Sequence, residues 1–112
     1  MRELFLRFIQ SALILILILA LPAVMQAQSD AAKVFKTNCV LCHSADGSGD
    51  SVTGKALHAK DLRSDEVQKQ SDAALTEVIT RGKGKMPAFG TKIHPDGVTK
   101  LVAYIRELPK KK

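Results

Sequence analysis

The sequence predicts an all-α fold in one small domain. Apolar residues recur at helical spacing in Leu75, Val78 and Ile79, and again in Val98, Leu101, Val102 and Ile105. Helix punctuation stands at the edges of those runs: Ser71-Asp72 before the first, Gly82 after it, and Pro95 before the second. Strand signals are weak along the whole chain.

The first quarter differs from the rest. Met1 to Gln10 carries Arg2 and Arg7 against Glu3, and after Ser11 the run Ala12 to Leu21 is apolar without interruption until Pro22 breaks it. Small or polar residues follow through Ala27. A basic start, a short apolar centre and a small-residue exit read as a secretory signal peptide over residues 1–27, leaving a domain at 28–112. The alternative is a retained membrane anchor, which needs about 20 apolar residues. Reaching that length, from Phe8 to Met25, means including Gln10 and Ser11. Cleavage after Ala27 also puts Met25 where a small residue is preferred. The expected location is periplasmic, with membrane attachment only if the leader stays.

The domain at 28–112 holds 15 of the 17 Lys and Arg and 10 of the 11 Asp and Glu, a net charge of +5. Leu, Ile, Val and Phe number 18 of its 85 residues, with only Phe35, Phe89 and Tyr104 as aromatics. That is close to the apolar content at which a chain struggles to fold alone, in a domain already small enough to bury little of its surface. Something other than side chains is expected to help fill the interior. A Cys39–Cys42 disulfide would close too short a loop to constrain much of the chain.

Element by element, Asp30 to Val40 reads as a helix with Asp30 at its N-terminus, and Phe35, Cys39 and Cys42 share one face. Ser44 to Gly54 is loop chemistry, with Gly47, Gly49 and Gly54 among Asp and Ser. Ser64 to Val67 opens a short helix, and Ser71-Asp72 a better one that Gly82 stops. Lys83 to Ile93 is a second loop. Pro95 suits the first position of a final helix and Asp96 its positive end, with the helix ending before Pro109. The 20 residues from Ser44 to Arg63 then have little regular structure, which is unusual in a compact domain unless the segment has a job. Wrapping a large flat cofactor is such a job.

Cys39-Val40-Leu41-Cys42-His43 says what that cofactor is. Cys-x-x-Cys-His is the attachment motif of c-type haem: two thiols three positions apart each form a thioether with a vinyl group, and the next histidine faces the iron. A thioredoxin-like dithiol needs a βαβ context that is missing. Structural zinc needs four ligands, and neither His58 nor His94 has a partner at the required spacing. A plain disulfide leaves His43 and the deficient core unexplained. For the second axial ligand the candidates are Met86, His58 and His94. Met86 is the sole methionine after residue 27 and lies in Gly82-Lys83-Gly84-Lys85-Met86-Pro87-Ala88-Phe89, a basic, Gly-rich stretch without a helical apolar pattern. Core packing explains it poorly, and a thioether suits an electron carrier because it raises the potential. His94 reads as part of the cap of the last helix, and His58 as a residue of a solvated loop.

From Asp30 to Leu108 the chain resembles a class I bacterial cytochrome c of the short periplasmic type. The residues that carry the likeness are Phe35-Lys36-Thr37-Asn38 leading into Cys39 to His43, then Lys85 to Phe89, then Leu101-Val102-Ala103-Tyr104-Ile105-Arg106. The resemblance implies helices and long loops wrapped around one covalently bound haem c, with His43 and Met86 as axial ligands. It implies that the first and last helices cross with Phe35 near Tyr104, at a point where the family usually has a glycine and this chain has Ala31. It also implies haem contacts from Leu57 and Leu62, while Leu75, Ile79 and Phe89 are expected to join them.

With both axial positions filled, the expected function is one-electron transfer between Fe(III) and Fe(II) in a respiratory chain, without enzymatic chemistry. Partners would be a quinol-oxidising complex and a terminal oxidase or reductase, met through acidic docking surfaces steered by Lys55, Lys60, Lys83 and Lys85. The same lysines also read as a plain solvated surface, and Lys110 to Lys112 as a solvated tail. No nucleic-acid partner is expected of an exported chain with so few aromatics. Two other readings stand beside the carrier: a haem subunit of a larger periplasmic dehydrogenase or oxidase complex, and a haem-based sensor in which Met86 leaves the iron.

Overall fold

A computed structural model of the chain describes residues 1–110, with the backbone alone for residues 20–24. Among the described residues six α-helices follow one another: α1 (Arg2–Asn38), α2 (Val40–His43), α3 (Val52–Leu57), α4 (Asp65–Gln68), α5 (Asp72–Arg81) and α6 (Pro95–Glu107). A 3-10 turn, Leu108–Lys110, closes the described chain, and there is no strand among the described residues. An isolated antiparallel bridge joins Lys83 and Met86.

The serine signals work as the sequence suggests. The Oγ atoms of Ser64 and Ser71 accept from the backbone N–H groups of Val67 and Ala74, satisfying donors left open in the first turns of α4 and α5. Gly82, at φ 76°, ends α5, and Pro95 occupies the first turn of α6 behind the His94 cap. The core then forms where the apolar faces meet. Phe35 from α1, Val67 from α4, Leu75 and Ile79 from α5, and Val98, Leu101, Val102 and Ile105 from α6 are all buried in one cluster. The C-terminal part of α1 packs on α6, with the Phe35 and Tyr104 rings 5.2 Å apart and tilted by 45°. Ala31 is 2% exposed, so its methyl group is packed inside.

Three expectations need correction. The first helix does not start at Asp30; it begins at Arg2 and runs through that residue. Asp30 accepts from the Gln26 side chain one turn back, which is the bond of a residue inside a helix rather than of a cap. The same helix ends at Asn38, and Cys39 makes the step into α2. The stretch from Ser44 to Arg63 is not structureless either, because it contains α3. Val52, Thr53 and Gly54 give that helix poor intrinsic propensity; it forms because Ser51 caps it at Gly54 N–H and ties it to α2. Ser51 Oγ donates to the Leu41 carbonyl at 2.7 Å, and Ser51 N–H donates to Ser44 Oγ at 2.9 Å. Among the described residues no helix is long and apolar enough to cross a membrane. At the other end, Lys110 pairs with Glu107, and Lys111 and Lys112 lie outside the described residues.

Candidate functional site

Between α1, α5, α6 and the two loops lies an open cleft with about 510 Å³ of atom-free space, its solvent-filled mouth included. Its wall brings together Cys39, His43 and Met86, with Phe35, Leu62, Val67, Leu75, Val78, Ile79, Phe89, Ile93, Leu101 and Ile105 supplying an otherwise apolar lining. Residues 43 positions apart in sequence, His43 and Met86, therefore share one cavity.

Each chemical group is held by local structure. α2 presents His43 at the end of a single turn, where its backbone N–H donates to the Cys39 carbonyl at 2.8 Å. The imidazole Nδ1 stands 3.0 Å from the Lys60 carbonyl oxygen. A carbonyl can only accept, so Nδ1 carries the proton, and in the neutral ring Nε2 keeps its lone pair for a metal. Cys39 and Cys42 are free thiols, both half-buried. Burial, helped by the nearby Cys42, pushes the Cys39 thiol up to about 11. Cys42 stands outside the cavity lining.

Met86 is placed by a tight turn. Lys83 N–H donates to the Met86 carbonyl at 3.1 Å and Met86 N–H returns a bond to Lys83 at 3.0 Å, with Gly84 at φ 58° between them. Gly82 must be glycine for that fold-back: a Cβ there would lie 2.7 Å from Met86 O and 2.9 Å from Ala88 N. His94 is 80% exposed at the α6 cap, and His58 is exposed at the left-handed end of α3; neither lines the cavity. No group of three or more His, Cys, Asp or Glu side chains is arranged to hold a metal ion among the described residues. The Cys39 thiol, an imidazole with Nε2 available and a thioether on an apolar wall, with the Cys42 thiol three positions along the chain, are a donor set that fits a covalently held haem and does not fit zinc.

Of the apolar contacts expected from sequence, Leu62, Leu75, Ile79 and Phe89 line the cavity. Leu57 does not; it ends α3 with 38% exposure, because Gly54 rather than Leu57 faces α2. The sequence reading missed Val67 and Ile93 as wall residues. Ile93 precedes the cap His94, and Val98 follows at the fourth helical position, so the hydrophobic-staple pattern marks it as buried.

A second cluster lies behind His43. Arg63 Nε and Nη2 donate to the two oxygens of Asp61 at 3.0 Å each, and Nη1 donates to Asp46 at 3.3 Å. Bonds from Arg63 hold the Asp61 carboxyl below its ordinary range, and bonds from Ser48 do the same for Asp46. Lowered carboxyl pKa values stabilise the fold above the ordinary carboxylate range, and that contribution is lost as pH falls through the lowered values. The cluster is therefore intact at neutral pH.

Residues 26–105 match the family model described as cytochrome c oxidase, cbb3-type, subunit III. Cytochrome c6 of Aphanizomenon flos-aquae is 35% identical over 79 residues, covering 68% of this chain and 84% of that protein. Cytochrome c6 of Gloeothece citriformis is 32% identical over 93 residues, covering 80% and 79%. Among solved structures, the KustC0563 c-type cytochrome superposes with a TM-score of 0.65 at 31% identity, over 70% of this chain and 95% of that one.

Proposed function

Given that the chain belongs to the cytochrome c family, as a single-haem class I member with covalently bound haem c, we propose that Cys39 and Cys42 form the thioethers and that His43 Nε2 and Met86 Sδ are the axial ligands of a one-electron carrier. The observation that carries the ligand assignment is the shared cavity wall of Cys39, His43 and Met86, from which His58 and His94 are absent. When bound, the haem supplies the Fe(III)/Fe(II) couple. The protein's own residues do the rest: the Lys60 carbonyl orients His43, the Lys83–Met86 turn presents the thioether, and the apolar wall keeps water away. With both axial positions occupied there is no open coordination site for a substrate.

Residues 1–27 are the export leader in this reading, and the mature protein works in the periplasm. The support is physical: Leu13, Leu17 and their apolar neighbours are more than half exposed, and among the described side chains the first buried one is Ala31. Leu41, 71% exposed, and Val52, 89% exposed, form an apolar spot beside Cys42, bridged by the Ser51–Leu41 bond. Lys55 stands exposed on the same short helix, and Lys83 and Lys85 on the methionine turn. Lys60 is already paired with Glu66. A redox partner with an acidic rim and an apolar centre fits this surface.

The matched family model points to a second reading, a subunit of an oxidase complex. The chain's span of 84% of a cytochrome c6 favours the small carrier, and gel filtration of the native protein separates the two. The functional test is kinetic. Electron transfer to an acidic partner should slow by about tenfold or more from low to high salt, because the attraction that steers encounter is screened. The reduced protein should not bind carbon monoxide at neutral pH. A rate indifferent to salt would remove the acidic partner, and ready carbon monoxide binding would replace the carrier with a sensor.

A further inference from the structure

The Lys60 carbonyl that orients His43 belongs to a segment with no regular structure of its own. The acceptor oxygen sits in the peptide unit joining Lys60 to Asp61, so any tilt of that unit lengthens or bends its bond to Nδ1. Backbone bonds tie the segment on either side: Ala59 N–H to Gly54 O and Leu62 N–H to Gly47 O, each 2.8 Å. Between them the Asp61 side chain is pinned. Arg63 grips both its oxygens, Arg63 N–H adds a 2.8 Å bond to Oδ1, and Ser64 Oγ donates to the Asp61 carbonyl at 2.7 Å. The third arm of Arg63 reaches Asp46, which also accepts from Ser48 N–H at 3.0 Å. Asp46 and Ser48 flank Gly47, so the guanidinium spans the same two loop segments that the Leu62–Gly47 bond joins.

From this geometry we propose that Arg63 is a positioning residue for the axial imidazole: by clamping Asp61 and Asp46 it fixes the Lys60 carbonyl, sets the strength of the His43 hydrogen bond and thereby tunes the haem potential. The inference rests on His43 being an iron ligand, as proposed above. A firm Nδ1–H···O=C bond makes the imidazole more basic, which favours Fe(III) and lowers the potential. Loosening the clamp raises it. Arg63's charge works in the opposite sense, because removing a cation relieves its Coulomb repulsion of Fe(III) and so favours that state. Charge-conserving variants therefore isolate the clamp. Lysine has no planar fork with which to grip both Asp61 oxygens and reach Asp46 as well.

The experiment measures the midpoint potential of the haem-loaded protein for wild type, Arg63→Lys and Asp61→Glu. It also follows exchange of the His43 Nδ1–H in the reduced state by NMR. Arg106→Lys is the control for general loosening, since Arg106 makes a comparable set of bonds to Asp72 and Gln68 away from the cluster. Both charge-conserving variants should raise the potential and speed ring N–H exchange by roughly threefold to tenfold, the weakening of one neutral hydrogen bond. Arg106→Lys should change neither. Either variant decides alone, so one that fails to load haem leaves the other to decide. An unchanged potential in a loaded Arg63→Lys or Asp61→Glu protein, or an equal rise in Arg106→Lys, overturns the role of Arg63. A wild-type spectrum without iron-bound histidine would instead remove the ligand reading, and this proposal with it, before any variant is made.

Discussion

Replacing Met86 with alanine should leave the haem attached and lower its midpoint potential by on the order of 0.2 V, a fraction of the range that axial ligands command. Attachment should survive because the proposed thioethers, at Cys39 capping α2 and Cys42 within it, and the His43 ligand are distant in sequence from the Lys83–Met86 turn. The potential falls because a neutral thioether favours Fe(II) more than water does. The vacated position should also admit carbon monoxide. Met86→His should lower the potential while keeping the iron closed. His58→Ala and His94→Ala should alter none of these properties, since both rings stand outside the cavity and His94 is 80% exposed. Optical and magnetic spectra across the four variants check the assignment. Persistence of the sulfur–iron signature in Met86→Ala, or opening of the iron in a histidine variant, would replace it with bis-histidine ligation.

The second large effect is expected at Gly54, which has no side chain and binds no ligand itself. A Cβ on Gly54 would lie 2.1 Å from the Cys42 carbonyl and 2.4 Å from that of Gly49. Both are backbone oxygens that cannot rotate aside, so α3 must move away from α2. That displacement breaks the Ser51 bonds to Leu41 and Gly54 and strains the Ala59–Gly54 bond beside the Lys60 carbonyl. Overpacking of this kind costs about 3 kcal/mol; in a domain this size the melting temperature should fall by more than about 10 °C. Haem loading during export should fall with it. Gly84→Ala is the contrast, since nothing lies within 4 Å of a Cβ there, and its cost should be limited to the left-handed backbone. Thermal melts of the two variants check the difference.

What was legible in the sequence follows from where the physics is local. α4, α5 and α6 announce themselves because Ser64, Ser71 and Pro95 meet first-turn requirements that any helix has, whatever it packs against. Cys39, His43 and Met86 could be singled out by their chemistry and spacing, and the structure sets those three on one cavity wall. α3 was hidden because tertiary packing, through Gly54 on α2, forms a helix that its own residues disfavour. The start of α1 was misplaced because Asp30 suits a cap and equally suits a side-chain bond within a helix. The acceptor for His43 could not be read at all. A backbone carbonyl has no residue signature, and Lys60 O is brought to Nδ1 across 17 positions by loop geometry alone.

The claim on which the rest depends is covalent attachment at Cys39 and Cys42. Intact mass of the exported protein, made with haem-maturation machinery and measured after denaturation, tests it directly. The account predicts the mass of a chain beginning near Gln28 plus one haem, and loss of that increment when both cysteines are alanine. A wild-type mass without the haem increment would contradict it.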